Sequence, residues 1–272
     1  MLAVLVVTLA GCSVLRSSER TLSTMTYPPR VESLMGQQFA EEIEQEYPVV
    51  RDEVADAWLT RMGERLVDYS PSTSQQFRFQ FVDSPDVNAF AIPGGYCYVN
   101  IGLVLFAENE AQVAAVVGHE INHVTRRHGI LSLQRARGIQ TAGDLFAAQV
   151  TSGAAQQAAR ATANAGGYVA MRKFGREDEH EADYYGVRAM YGAGYDPREA
   201  VRFFQKLHGL QGGNTPSFLE RMMATHPATQ ERVARLEALV AELDLTVPLI
   251  KDSPEFHTVQ QRLRAKLTPR AN

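Results

Sequence analysis

Apolar positions change period several times along the chain, and each change predicts an element. Residues 31–46 and 50–69 repeat apolar side chains at helical spacing, with Pro48 breaking the run between them. Phe77-Arg78-Phe79-Gln80-Phe81-Val82 alternates strictly and predicts a half-buried strand. Two shorter strands are expected at 88–92 and 96–100, on either side of the turn chemistry in Pro93-Gly94-Gly95. From Glu108 onward the period is helical. The expected helices cover 109–128, 131–150, 154–170, 176–192, 197–209, 227–243 and 254–267. The stretch 141–170 is rich in Ala, Gly and Gln and reads either as a linker or as a helical hairpin packed through small residues. No repeat of about 34 residues is visible, so no tetratricopeptide array is expected. The last helix opens with a capping Ser253 and with Pro254 at its first position; it lies beyond Pro248 and reads as an appendage. The pattern predicts a mainly α chain of the α+β class with one small sheet.

The N-terminus reads differently. Residues 2–10 form a short apolar run that ends in Leu9-Ala10-Gly11-Cys12. Small residues before a cleavage point suit a signal peptidase. The tetrapeptide resembles the bacterial lipobox, which implies a lipidated Cys12 as the mature N-terminus. No Lys or Arg precedes the run, so the expected start of the signal lies upstream. Residues 12–30 are polar, end in Pro28-Pro29-Arg30 and read as a tether. Acyl chains on Cys12 would anchor the protein without a spanning helix. Ser13 stands where the usual inner-membrane retention signal is Asp, which implies the outer membrane, facing the periplasm. The expected organisation is a signal peptide over 1–11, a tether over 12–30, one folded domain over 31–245 and a helical tail over 246–272.

Composition narrows the classes. With 272 residues, 45% hydrophobic and 21% charged, the chain reads as a folded soluble domain. A net charge of −4 and the absence of a basic stripe give no reason to expect nucleic acid. No run of eighteen apolar residues encodes a complete membrane-spanning helix. The two cysteines lie in unrelated contexts, and Cys97 reads as a buried small hydrophobe.

The chemistry begins at His119-Glu120-Ile121-Asn122-His123, which is H-E-x-x-H. On a helix, residues four apart share a face, so both imidazoles can bind one zinc ion. Glu120 then lies beside the ion, where a carboxylate can take a proton from zinc-bound water. So short a pattern needs context, and a catalytic zinc needs a third protein ligand. The pattern H-E-x-x-H-x-x-G-x-x-H fails, because Arg126 and Gly129 occupy its glycine and third histidine positions. The dense alternative is Glu177-Asp178-Glu179-His180-Glu181-Ala182-Asp183. Glu179, Ala182, Asp183, Gly186 and Met190 share a face of small residues, whereas Glu181 groups with Tyr185 and Arg188 on a more solvent-like face. Glu179 is therefore the expected third ligand. Asp183 is expected to orient a ligating imidazole through its free N–H.

These residues resemble the HtpX-type gluzincin zinc metallopeptidase family, and within it the periplasmic lipoprotein proteases. Four ordered segments carry the resemblance over about residues 50–245. They are Asn88-Ala89-Phe90-Ala91 with Gly94-Gly95, the helix from His119 to His128, Glu179 to Asp183, and His226-Pro227 with Arg232. The resemblance implies a gluzincin fold with a small sheet packed beside the H-E-x-x-H helix. It implies one zinc ion per chain and peptide hydrolysis assisted by Glu120. It also places His226 near the zinc, either stabilising the oxyanion or closing the open position. Arg232 reads as a structural ion-pair former or as an oxyanion-side charge. Asn88, Ala89, Phe90 and Ala91 read as a tight hairpin or as an edge strand that pairs with extended substrate. The implied substrates are misfolded or misassembled proteins of the bacterial cell envelope. The rival expectation is an envelope chaperone or assembly factor whose zinc site is structural or plugged.

Overall fold

A computed structural model describes residues 20–25, 27–136, 174–211 and 216–268. The helical expectation 31–46 becomes α1 (Pro29–Glu46), and a two-residue strand β1 (Val49–Val50) follows Pro48. Helix α2 (Glu53–Asp68) starts where the Asp52 side chain accepts from the Ala55 N–H at 3.2 Å. Strands β2 (Arg78–Val82), β3 (Ala89–Ile92) and β4 (Tyr96–Asn100) lie at the expected positions. The sheet order is β1-β2-β4-β3. β2 and β4 run parallel, with Phe79 opposite Cys97; β3 and β4 are antiparallel, with Ala91 opposite Cys97. Gly94 and Gly95 make the β3–β4 turn at φ 87° and 85°, and a Cβ on Gly95 would meet the Gln76 carbonyl oxygen at 2.4 Å. β3 is therefore an edge strand.

Helix α4 (Glu110–Thr125) follows the short α3 (Ile101–Phe106), and Asn109 caps its N-terminus. Residues 110–124 are buried on every side, which marks a central helix. The remaining described helices are α5 (His128–Ala136), α6 (Arg176–Gly192), α7 (Arg198–Gly209), α8 (Ser217–Thr225), α9 (Gln230–Ala241) and α10 (Pro254–Lys266). α6 packs most extensively against α4. The close approach is possible because Gly118 faces Gly186: a Cβ on Gly186 would sit 3.2 Å from the His119 nitrogen. The main core joins α2, α4, α6, α7, α9 and one face of the sheet. A second cluster, with Tyr27, Phe39, Phe90, Tyr98 and Leu133, covers the other face.

Four expectations change. The helix expected over 109–128 stops at Arg126 because Arg127 adopts φ 60°, and α5 restarts at His128. The tether expected over 12–30 gives way at residue 20: residues 20–25 are helical, and Ser23 and Tyr27 are buried. The cause is tertiary. The Arg127 guanidinium donates to the Tyr27 carbonyl at 2.6 Å and to the Ser23 carbonyl at 3.3 Å. The tail helix is not an appendage, since Phe256, Val259 and Leu263 are fully buried in the main core. Helices α3 and α8 and strand β1 are additions to the expected set; Val50, expected to open a helix, lies in β1. Cys12, the helix expected over 154–170 and most of that over 131–150 lie outside the described residues. Among the described residues no helix is long and apolar enough to cross a membrane.

Candidate metal centre

α4 presents His119 and His123 on one face, one turn apart, and α6 lays Glu179 across from them. The turn after α8 adds His226. All four side chains are buried. Their nearest donor atoms lie within 4.8 Å of one another. The two imidazole Nε2 atoms are 2.9 Å apart. His119 Nε2 and His123 Nε2 each lie 3.4 Å from a Glu179 carboxylate oxygen. His226 Nδ1 lies 3.3 Å from His119 Nε2 and 3.0 Å from Glu179 Oε1. A tetrahedral zinc with bonds of about 2.0–2.1 Å has ligand atoms separated by about 3.3 Å. The separations and the imidazole–carboxylate chemistry both fit such an ion.

Glu120 stands beside this cluster. Its Oε2 accepts the Ala91 N–H at 3.2 Å. Its Oε1 is buried, lies 3.3 Å from His226 Nε2 and makes no hydrogen bond among the described residues. A buried carboxylate oxygen left unbonded is costly, and a reacting group would satisfy it.

The two histidines of α4 are backed by different groups. His119 Nδ1 lies 3.0 Å from Asp183 Oδ1. Arg232 grips Asp183 bidentately, at 2.7 Å for each bond, and also reaches Glu179 at 2.7 Å. Phe204 packs against the guanidinium, its ring centre 4.2 Å away. On the other side, His123 Nδ1 lies 2.9 Å from Nδ1 of the fully buried His128. His128 Nε2 lies 3.1 Å from Glu181 Oε2. Arg126 donates to Glu181 Oε1 at 3.0 Å, and Arg20 forms an ion pair with Oε2. Phe174 stacks on the His123 ring at 3.8 Å and 19°.

Electrostatics follow this wiring. Burial works against charge on His119, as does Arg232, but Asp183 and Glu179 carry its pKa up to about 9. Burial drives His123 well below the usual histidine value. Glu179 and Asp183 would be raised by burial; His226 and Arg232 hold Glu179 well down, and Arg232 and His119 hold Asp183 down. Burial also opposes the Glu181 charge, yet His128, Arg20 and Arg126 bring its pKa to about 2.

Peptidase family M48 has a sequence model that matches residues 53–240, most of the described fold and all of this cluster. The chain belongs to peptidase family M48. It is 28% identical over 236 residues to the beta-barrel assembly-enhancing protease of Escherichia coli K12, covering 85% of this chain and 48% of that protein. It is 35% identical over 182 residues to the mitochondrial metalloendopeptidase OMA1 of Arabidopsis thaliana, covering 65% and 35% respectively. The metalloprotease YcaL of Escherichia coli K12 is 31% identical over 157 residues, covering 57% of this chain and 59% of that protein. The chain spans about half the length of the first of these relatives.

Within this M48 chain, the residues singled out from the sequence converge. His119, Glu120, His123, Glu179, Asp183, His226 and Arg232 meet in one buried cluster, and Ala91 reaches it through its backbone. Glu181, on the same helix as Glu179, points instead to His128. Its face is only partly solvent-like: the side chain is 16% exposed. Sequence reasoning placed His128 only at the end of a family-like helix and gave it no role, because in a continuous helix a histidine five residues after His123 is carried away from the metal face.

Proposed function

We propose that this chain is a zinc-dependent endopeptidase that cleaves misfolded or misassembled cell-envelope proteins. The observation that carries the reading is Glu120: one oxygen fixed by a backbone N–H, the other buried and unbonded beside four convergent donors. His119, His123 and Glu179 would hold the ion. Zinc, when bound, polarises the scissile carbonyl and acidifies water. Glu120 Oε1 accepts the proton of the attacking water and later delivers it to the leaving amine. Asp183 and Arg232 position His119 and Glu179. The Arg232 guanidinium is committed to two carboxylates, so we assign it positioning rather than oxyanion binding.

The edge of β3 supports substrate pairing. The Asn88 and Ile92 carbonyls bond within the hairpin, to Asn100 and Gly95, so Ala89 and Ala91 turn their polar groups the other way. An extended substrate can add there as a strand. A substrate carbonyl that takes the Ala91 N–H also frees the Glu120 carboxylate. The Asn88 side-chain amide is buried without a hydrogen-bond partner among the described residues, which suits contact with the same substrate backbone. A shallow, open cleft lies beside this edge, lined by Ala91, Ile92, Pro93, His123, Arg127 and Phe174.

His226 supports a second reading of the resting state. Its Nδ1 sits among the donors, where a fourth ligand would take the open position. We read it as a plug that substrate displaces. A swing of the 211–226 segment onto the metal would involve Gly212, Gly213 and Asn214, which lie outside the described residues. A permanently plugged site would leave only a chaperone or assembly role, and hydrolysis of an unfolded protein with and without chelator separates the two. Glu120→Gln tests the mechanism: it is expected to retain zinc and fold while turnover falls by roughly 10²–10⁴-fold. Near-wild-type turnover at full metal content would sink it. The envelope substrate class and lipid anchoring at Cys12, at the periplasmic face of the outer membrane, rest on the lipobox and on the name of the 28%-identical relative. Membrane fractionation of Cys12→Ser tests the anchor, which fails if the protein stays with the membrane.

A further inference from the structure

His128, Glu181 and Arg20 are not needed for the chemistry above, yet they form a continuous chain that ends on a proposed metal ligand. The direction of each hydrogen bond in it is determined. If His123 uses Nε2 as its donor to a metal, its Nδ1 must carry the proton. That N–H faces His128 Nδ1 at 2.9 Å, so His128 Nδ1 must be the acceptor. His128 then carries its proton on Nε2, which faces the Glu181 carboxylate at 3.1 Å. Glu181 only accepts, from His128, Arg126 and Arg20. No link has two donors or two acceptors facing each other.

We propose that His128 and Glu181 form a positioning relay that fixes the tautomer and ring orientation of His123, with Arg20 and Arg126 holding its far end. The inference rests on the metal-site reading above. Two features give the relay its shape. Arg127 at φ 60° breaks the helix, and α5 restarts with His128 turned back against His123. The same Arg127 clamps the Ser23 and Tyr27 carbonyls and pairs with Glu32 at 2.7 Å, which holds residues 20–25 and Tyr27 in place, with Arg20 on the Glu181 end. The segment that precedes the folded domain is therefore part of the support of the metal centre. A ligand whose partner hydrogen bond is removed loses metal affinity by roughly 10–100-fold.

The test is zinc affinity of the full chain, measured by competition with a chromophoric chelator, together with the absorption of the cobalt-substituted protein. His128→Leu keeps bulk but cannot accept from His123. It is expected to weaken zinc by roughly 10–100-fold and to shift the cobalt spectrum. His128→Gln can accept with its carbonyl and donate with its amide, so it is expected to recover most of the affinity. A simple packing role would not distinguish these two variants in that order. Glu181→Gln and Arg20→Ala act from the partly exposed end and are expected to weaken zinc several-fold without loss of fold. A folded His128→Leu protein with wild-type zinc affinity overturns the relay. Should that variant not fold, unchanged affinity in both Glu181→Gln and Arg20→Ala overturns it instead. Wild-type protein that takes up no zinc overturns the parent metal reading, a result separate from either of these.

Discussion

His119 and His123 lie one turn apart on the same helix, yet the protein supports them by different means. Behind His119 the carboxylate is adjacent, and Asp183 and its partner Arg232 are almost wholly sealed from solvent. Behind His123 an imidazole intervenes, the carboxylate is one step further out, and Arg126 and Arg20 reach it from the rim, with side chains 20% and 25% exposed. The short arm is a buried ion cluster drawn from the C-terminal half of the chain. The long arm runs towards the surface and ends in the N-terminal segment. The difference matters energetically, because a charge stranded in the interior costs several kcal/mol, whereas one near water is largely screened.

The sharpest way to break the comparison is at the arginines. Arg232→Ala leaves Asp183 and Glu179 buried without their cation. It should destabilise the metal-free protein by about 3–5 kcal/mol in denaturant unfolding. Arg126→Ala should cost about 1 kcal/mol or less. Equal costs would remove the distinction between a sealed arm and a surface-reaching one.

His226 stands between the arms, close to the rings of both His119 and His123. If it plugs the centre, His226→Ala should cleave a model unfolded substrate several-fold faster than wild type at equal zinc content. If it stabilises the oxyanion, turnover should instead fall by about a hundredfold.

The smallest effect is in acid. The native pKa of Glu181 is about 2, against an ordinary 4.5, so the folded state binds its proton less readily than the unfolded chain. Its contribution is complete above pH 4.5 and is lost as pH falls through 2. Because the group is partly exposed, that contribution is on the order of 1 kcal/mol. Glu181→Gln should therefore be less stable than wild type at pH 5, with the gap closing towards pH 2 in acid unfolding of the metal-free protein.

The two arms also differ in how far the sequence revealed them. Asp183 and Glu179 were legible because they, Ala182 and Gly186 repeat on one helical face, and that face does meet α4. His128 was not legible. In an unbroken helix it would stand about 140° around from His123, and no local signal marked Arg127 as the residue to take a positive φ. Residues 20–25 and Tyr27 were unreadable for a related reason. Their polar composition describes a tether, and their order comes from Arg127, a hundred residues further on. β2 was found from alternation, β3 and β4 from the turn chemistry between them, and the tail helix from its capping, but burial of Phe256, Val259 and Leu263 depended on partners in α2 and α3 that no local pattern names.

The donor set is spread along the chain in an order that has a consequence for biogenesis. His119, Glu120 and His123 come first, then Glu179, then His226, and Arg232 closes the cluster last. A polypeptide made or exported N-terminus first shows its H-E-x-x-H segment long before the residues that complete and clamp the site exist beside it. No growing chain that stops short of Arg232 holds the full set. Assembly of the whole cluster is thus timed by position in the sequence.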